Sequence, residues 1–120
     1  MRNPALDVEL LLRSLGASGK LKGFQYVVYM IECVVEEPKR LELITKDLYR
    51  ETAHFYNARY ETIERNTRTV IRSCWNYENH VNLDALFGRR LIKPPTSKEF
   101  IEGLAAFLRR KERGQASSSR

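Results

Sequence analysis

Apolar residues recur at intervals of three and four along almost the whole chain, and no segment alternates apolar and polar residues as a half-buried strand would. That pattern restricts the chain to an all-α fold, because a helix buries a stripe that returns about every 3.6 residues. With 120 residues, there is enough chain for one modest core.

The breaks in the pattern divide it into elements. Asn3 and Pro4 suit the N-cap and first position of a helix over residues 5–15, and Gly16 stops it. "GASGKLKG" then reads as a loop. Residues 24–37 form the most apolar helix, with Tyr26, Val27, Met30, Ile31 and Val34 at core spacing, so it is expected at the centre of the fold until Pro38 discourages its continuation. Helical patterns cover residues 41–49 and 51–56, a turn follows at 57–61 ("NARYE"), and a longer helix reaches about residue 77. "NLDALFG" closes a short helix with Gly88 as its cap. Thr96 and Glu99 have capping-box spacing and open a last helix ending near residue 113, after which "GQASSSR" has the composition of a disordered tail. The expectation is a compact bundle of about six helices. It forms a single domain over residues 1–113 with a tail at 114–120, and a helix-turn-helix at about 51–77.

Several function classes are disfavoured. The only two histidines, His54 and His80, are far apart in sequence, and there is no phosphate-cradling glycine loop or nucleophile motif, which argues against an enzyme. Cys33 and Cys74 lie in apolar helical contexts with no CxxC and no nearby histidine, so they read as reduced, buried thiols; no metal or other cofactor is expected. The longest apolar stretch, residues 24–35, is interrupted by Gln25 and Glu32 and is too short to span a bilayer. No basic-then-apolar leader opens the chain, and the expected setting is the cytoplasm, without a membrane partner.

"TIERNTRTVIRS", residues 62–73, carries two faces. At about 100° per residue, Thr67, Val70, Ile71 and Cys74 fall within roughly 80° of Ile63. Arg65, Arg68 and Arg72 fall on the opposite side, with Glu61 among them and Glu64 at their edge. Alone, this is an ordinary solvated face knitted by Glu61 to Arg65 and Glu64 to Arg68, i,i+4 pairs worth a few tenths of a kcal/mol each. The short helix and turn in front of it supply the helix-turn-helix order, in which the second helix enters the DNA major groove. Arginine can donate twice to guanine, and a carboxylate such as Glu64 can accept from cytosine, so mixed charge suits a sequence reader. Thr62, Asn66, Thr69 and Arg59 border the same surface as further DNA-contact candidates.

Lys and Arg number 21 against 15 Asp and Glu, a net charge of +6. The positive excess lies in residues 39–75 and 88–113. Arg89, Arg90 and Lys93 are therefore phosphate-contact candidates. Residues 109–113, "RRKER", join them, although cations in a last helical turn also complement the helix dipole.

"KGFQY", "ITKDLY", "ERNTR", Trp75, "NLDALFG" and "PPTSKEF" occur in that order between about residues 10 and 112. Together they resemble the C-terminal DNA-binding domain of the stage-zero sporulation response regulator of endospore-forming bacteria. The resemblance implies an all-helical effector domain that binds a short double-stranded DNA box, as head-to-tail pairs on tandem sites, and regulates transcription. It assigns base reading to Glu64, Arg65 and Arg68. Glu61, Thr62 and Thr69 differ from the family's usual serine, arginine and histidine at those positions, so a changed box is expected. The short helix around Leu83, Leu86 and Phe87 matches the region that approaches the sigma subunit of RNA polymerase, and residues 89–95 form a shorter loop than usual. The family's regulator carries a phosphoaccepting receiver domain ahead of this one; the expectation here is the effector domain without it. The alternative is a protein-interaction module that pairs with a full-length regulator or RNA polymerase without reading DNA.

Overall fold

The computed structural model describes residues 4–118, with side-chain surroundings given for residues 7–40 and 46–111. Six α-helices make up the described bundle: α1 (Pro4–Leu15), α2 (Phe24–Glu36), α3 (Tyr49–Phe55), α4 (Tyr60–Asn76), α5 (Val81–Phe87) and α6 (Ser97–Ser118). No strand occurs among the described residues. None of their helices is long and apolar enough to cross a membrane.

Helix α2 is the centre, as its apolar sequence requires: Phe24, Val27, Val28, Met30, Ile31 and Val34 are all buried, and it packs against α1, α3, α4 and α6. Tyr26, expected in the core, is only partly buried and joins an aromatic cluster with Tyr29, Phe55 and Tyr56. Helix α6 closes the other side of the core through Phe100, Ile101, Leu104, Ala105 and Leu108. Its start is fixed by the expected capping box, Glu99 N–H to Thr96 Oγ1 at 3.1 Å and Thr96 N–H to Glu99 Oε1 at 2.8 Å. Those bonds hold the Glu99 carboxyl below the usual carboxylate range.

Boundaries shift where periodicity alone is ambiguous. Residues 41–49 are not one α-helix: Pro38–Leu43 winds as a 3₁₀ segment and Ile44–Leu48 as a π segment, so the first helix of the helix-turn-helix begins at Tyr49, two residues before expected. Helix α4 begins at Tyr60, so Glu61 stands inside the helix and not in the turn. Helix α6 continues to Ser118, beyond the expected end near residue 113, because Gly114 costs about 1 kcal/mol in a helix but does not forbid it. The expected N-cap Asn3 lies outside the described residues. Gly16, with φ +111°, ends α1 in the left-handed region and leaves room for Tyr77, whose Cβ would stand 2.3 Å from an added methyl group.

Candidate nucleic-acid interface

The turn between α3 and α4 is specified by backbone bonds. Asn57 adopts a left-handed conformation with φ +52°, its N–H bonds to the His54 carbonyl at 3.2 Å, and the Ala58 N–H bonds to the Ala53 carbonyl at 2.8 Å. This is a Schellman ending with asparagine in the place usually taken by glycine. Arg59 is extended and caps α4 without a side-chain bond. Tyr49 and Tyr60, one at the start of each helix, meet edge to face at 5.6 Å and fix their relative placement.

Three contacts seat this unit on the core. Ile63, Thr67, Val70, Ile71 and Cys74 form the buried stripe of α4, and the Thr67 hydroxyl is satisfied by the Ile63 carbonyl at 2.7 Å. Gly23 lies against the middle of α4, where an added Cβ would come within 2.4 Å of the Asn66 carbonyl oxygen. Glu51 of α3 accepts the Tyr29 hydroxyl at 2.6 Å, the Arg40 guanidinium and the Cys33 thiol at 3.7 Å, joining α2, the 3₁₀ segment and α3. Arg40 first and Tyr29 second hold the Glu51 carboxyl below its ordinary range. Burial pushes the Cys33 thiol up to about 11 and the Cys74 thiol up to about 12, so both are protonated at neutral pH.

The opposite side of α4 is open. Arg65, Arg68, Arg72, Glu61 and Thr69 are exposed, Arg59 is exposed at the cap, and Thr62, Glu64 and Asn66 are half-buried. Of the two expected pairs, Arg68 reaches Glu64 at 3.5 Å, while no Glu61–Arg65 pair forms among the described residues. The Thr69 hydroxyl bonds to the Arg65 carbonyl at 3.2 Å, which turns it toward its own helix. Asn66 stands on the flank facing Gly23. Arg68, Ile71 and Arg72 also form one wall of a groove of about 330 Å³, closed on the other side by Pro94, Pro95, Thr96 and Ser97.

The second cationic surface is the loop of residues 88–95. Arg89, Arg90 and Lys93 are exposed, and Ile92 between them is 89% exposed. Leu83, expected on a partner surface, is instead fully buried, because its turn of α5 faces α6 and the core; only Leu86 and Phe87 of that trio reach the surface, and the Phe87 ring packs over Gly103. Sequence reading misses Asp84 in the same segment. Its Oδ1 accepts the His80 Nδ1–H at 2.8 Å and the Leu91 N–H at 3.1 Å, a convergence that no local pattern announces. Among the described residues, no three histidine, cysteine or acidic side chains converge as metal ligands would.

A helix-turn-helix seated on an all-α core, with guanidinium groups on the open side of its second helix, defines the class of DNA-binding regulatory domains. The family model described as "Sporulation initiation factor Spo0A C terminal" matches residues 8–108. The chain belongs to that family, the DNA-binding effector domains of sporulation response regulators, which are not enzymes.

Proposed function

We propose that the chain binds DNA in a sequence-specific manner and regulates transcription of sporulation-type genes in the cytoplasm, with α4 lying in the major groove. The supporting observation is that Arg65 and Arg68 stand exposed in the first half of α4, directly behind a fully buried stripe that fixes their direction. Arg65 donates to a guanine without an internal competitor among the described ion pairs. Arg68 and Glu64, 3.5 Å apart, work as one unit that reads adjacent bases. Arg59, Glu61 and Thr62 flank the base-reading residues at the start of the helix, and Arg72 lies nearest a phosphate strand. Arg89, Arg90 and Lys93 neutralise phosphates. Head-to-tail pairing on tandem boxes and contact with the sigma subunit through Leu86 and Phe87 belong to the same proposal and rest on the family resemblance.

The test is a titration of a duplex carrying the family's tandem boxes and a scrambled duplex, at two salt concentrations, with wild type and Arg65→Ala. Preference for the boxes that disappears with Arg65 supports base reading. Equal binding to both duplexes that fades at higher salt would leave only a cationic surface.

A partner-module reading draws on one specific feature, a groove of about 370 Å³ between α1, α5 and α6 lined by Leu11, Ser14, Leu15, Asn82, Ala85, Leu86 and Phe107. Leu86→Ala is the useful variant, since Phe87→Ala would also disturb packing over Gly103. Retained DNA binding with lost activation would assign that groove to a protein partner.

A further inference from the structure

Arg89, Arg90 and Lys93 sit on a backbone that has no repeating hydrogen-bond pattern, so something must fix where they point. The Gly88 N–H bonds to the Ala85 carbonyl at 3.2 Å and the Arg89 N–H to the Asp84 carbonyl at 3.2 Å, which ends α5 but does not reach the rest of the loop. Further along, Leu91 is only 5% exposed, and its N–H is taken by Asp84 Oδ1 at 3.1 Å. The same oxygen accepts from His80 Nδ1 at 2.8 Å. The His80 ring in turn lies flat on Trp75, with centroids 3.8 Å apart and planes 5° from parallel. Trp75 is in the last turn of α4. A continuous set of contacts therefore runs from the recognition helix through Trp75, His80 and Asp84 to the middle of the basic loop.

We propose that Asp84 is a positioning residue for DNA binding, setting the loop cations in register with α4 so that both surfaces meet one duplex. The inference rests on the reading that Arg89, Arg90 and Lys93 contact phosphates.

The backbone around His80 points the same way. Glu78, Asn79 and His80 have φ of +47°, +58° and +53°, three successive residues with a Cβ in the left-handed region. Such a run is unfavourable by itself and persists where surrounding contacts over-determine it. The Trp75 stack and the Asp84 bond are those contacts. Burial pushes the Asp84 carboxyl up, but the His80 and Leu91 bonds and the nearby Arg90 outweigh it and hold the group below its usual range. An ionised carboxylate only accepts, so in this bond His80 is the donor, through Nδ1. Asp84 thus serves the loop as an acceptor and need not touch DNA.

The experiment compares wild type, Asp84→Ala, Asp84→Asn and the triple Arg89→Ala, Arg90→Ala, Lys93→Ala variant on tandem-box and scrambled duplexes across a salt series, with melting temperature and Trp75 emission as controls. Trp75 is the only tryptophan, so its emission reports the His80 stack directly. Asp84→Ala is expected to weaken binding to both duplexes alike by about three- to tenfold, the size of one missing hydrogen-bonded anchor. It should flatten the slope of log affinity against log salt by about 0.9 for each phosphate no longer neutralised, and change Trp75 emission. Asp84→Asn keeps an acceptor oxygen for the Leu91 N–H and should recover most of the affinity and slope. Should Asp84→Ala fail to fold, His80→Asn, which tolerates the left-handed backbone but removes the ring stack, is expected to weaken binding in the same way.

A flattened slope in the triple variant with a normal slope in Asp84→Ala would overturn positioning while leaving the phosphate contacts intact. An unchanged slope in the triple variant would overturn the phosphate reading itself. Equal losses in Asp84→Ala and Asp84→Asn that track a fall in melting temperature would reduce Asp84 to a purely structural residue and overturn the proposal.

Discussion

Helix α4 and the loop of residues 88–95 both hold arginines to solvent, yet their geometry has different origins. In α4 the direction of every guanidinium follows from helical repetition, since five buried residues on one side leave Arg65, Arg68 and Arg72 only the other. In the loop, Arg89, Arg90 and Lys93 are placed by single bonds from Asp84, a buried Leu91 and a capping box at Thr96. Removing one bond from a repetitive element leaves its neighbours to hold the register, whereas removing one from the loop frees the segment beyond it. The two surfaces should therefore fail differently under mutation.

The largest expected effect separates scaffold from surface within α4. Ile63 is fully buried at the base of the stripe, so Ile63→Ala should cost about 2–5 kcal/mol of stability through reduced burial and a residual cavity. Denaturant unfolding measures it directly. A cost below about 1 kcal/mol would mean that the stripe does not seat the helix as described.

Next in size, Arg65→Ala should cost about 1–3 kcal/mol on the preferred box and much less on scrambled DNA, with stability within about 0.5 kcal/mol of wild type. Affinity and unfolding measured on the same preparation test the separation. A matching loss of stability would show that the exposed face also holds the fold, and would break the contrast with Ile63.

The two surfaces also differ in how far the sequence discloses them. The α4 stripe is legible in the sequence alone, because Ile63, Thr67, Val70, Ile71 and Cys74 are spaced by one helical period and their burial follows from it. Gly88 as a cap and the Thr96–Glu99 box are legible for the same reason, since each is a local motif with a local bond. The Asp84–Leu91 bond and the Glu51 cluster are not: both join residues through tertiary placement, and Glu51 collects partners from 11 to 22 residues away in sequence. Leu83, placed on a partner surface by the family resemblance, is instead buried, because tertiary packing decides which of two neighbouring leucines in a two-turn helix meets the core. The start of α4 at Tyr60 escapes sequence reading because Arg59 caps the helix through backbone geometry, without the side-chain bond that a cap residue normally advertises.

Loop and helix-turn-helix can be compared again through their polar supports. Thr96→Ala removes one arm of the capping box and should cost about 0.5–2 kcal/mol of stability. Because Thr96 also lines the groove beside Arg68 and Arg72, scrambled-DNA affinity should fall together with box affinity. A loss confined to the box would place Thr96 among the base-reading residues instead. In the helix-turn-helix, Glu51→Gln weakens the acceptor for Arg40 and Tyr29. The cluster is part-exposed, so a cost near the surface-pair range, about 1 kcal/mol or less, is expected.

The acid limb of stability gives the finest test. Glu51 has a folded pKa below its unfolded value, so its contribution is present above the ordinary carboxylate range near pH 4.5 and is lost as pH falls through the depressed folded value. Asp84 and Glu99 are depressed as well and contribute in the same direction, from the loop side. Wild type should therefore lose stability as pH drops below about 4.5, and Glu51→Gln should show a shallower acid limb by a fraction of a kcal/mol while converging with wild type at the lowest pH. Asp84→Asn should flatten the same limb, and the two effects should add, since no hydrogen bond joins the two clusters among the described residues. Additivity would mean that the helix-turn-helix and the loop are held by independent polar supports. A clear departure from it would mean that the supports are coupled through the core between them, and a change at one cationic surface would then be transmitted to the other.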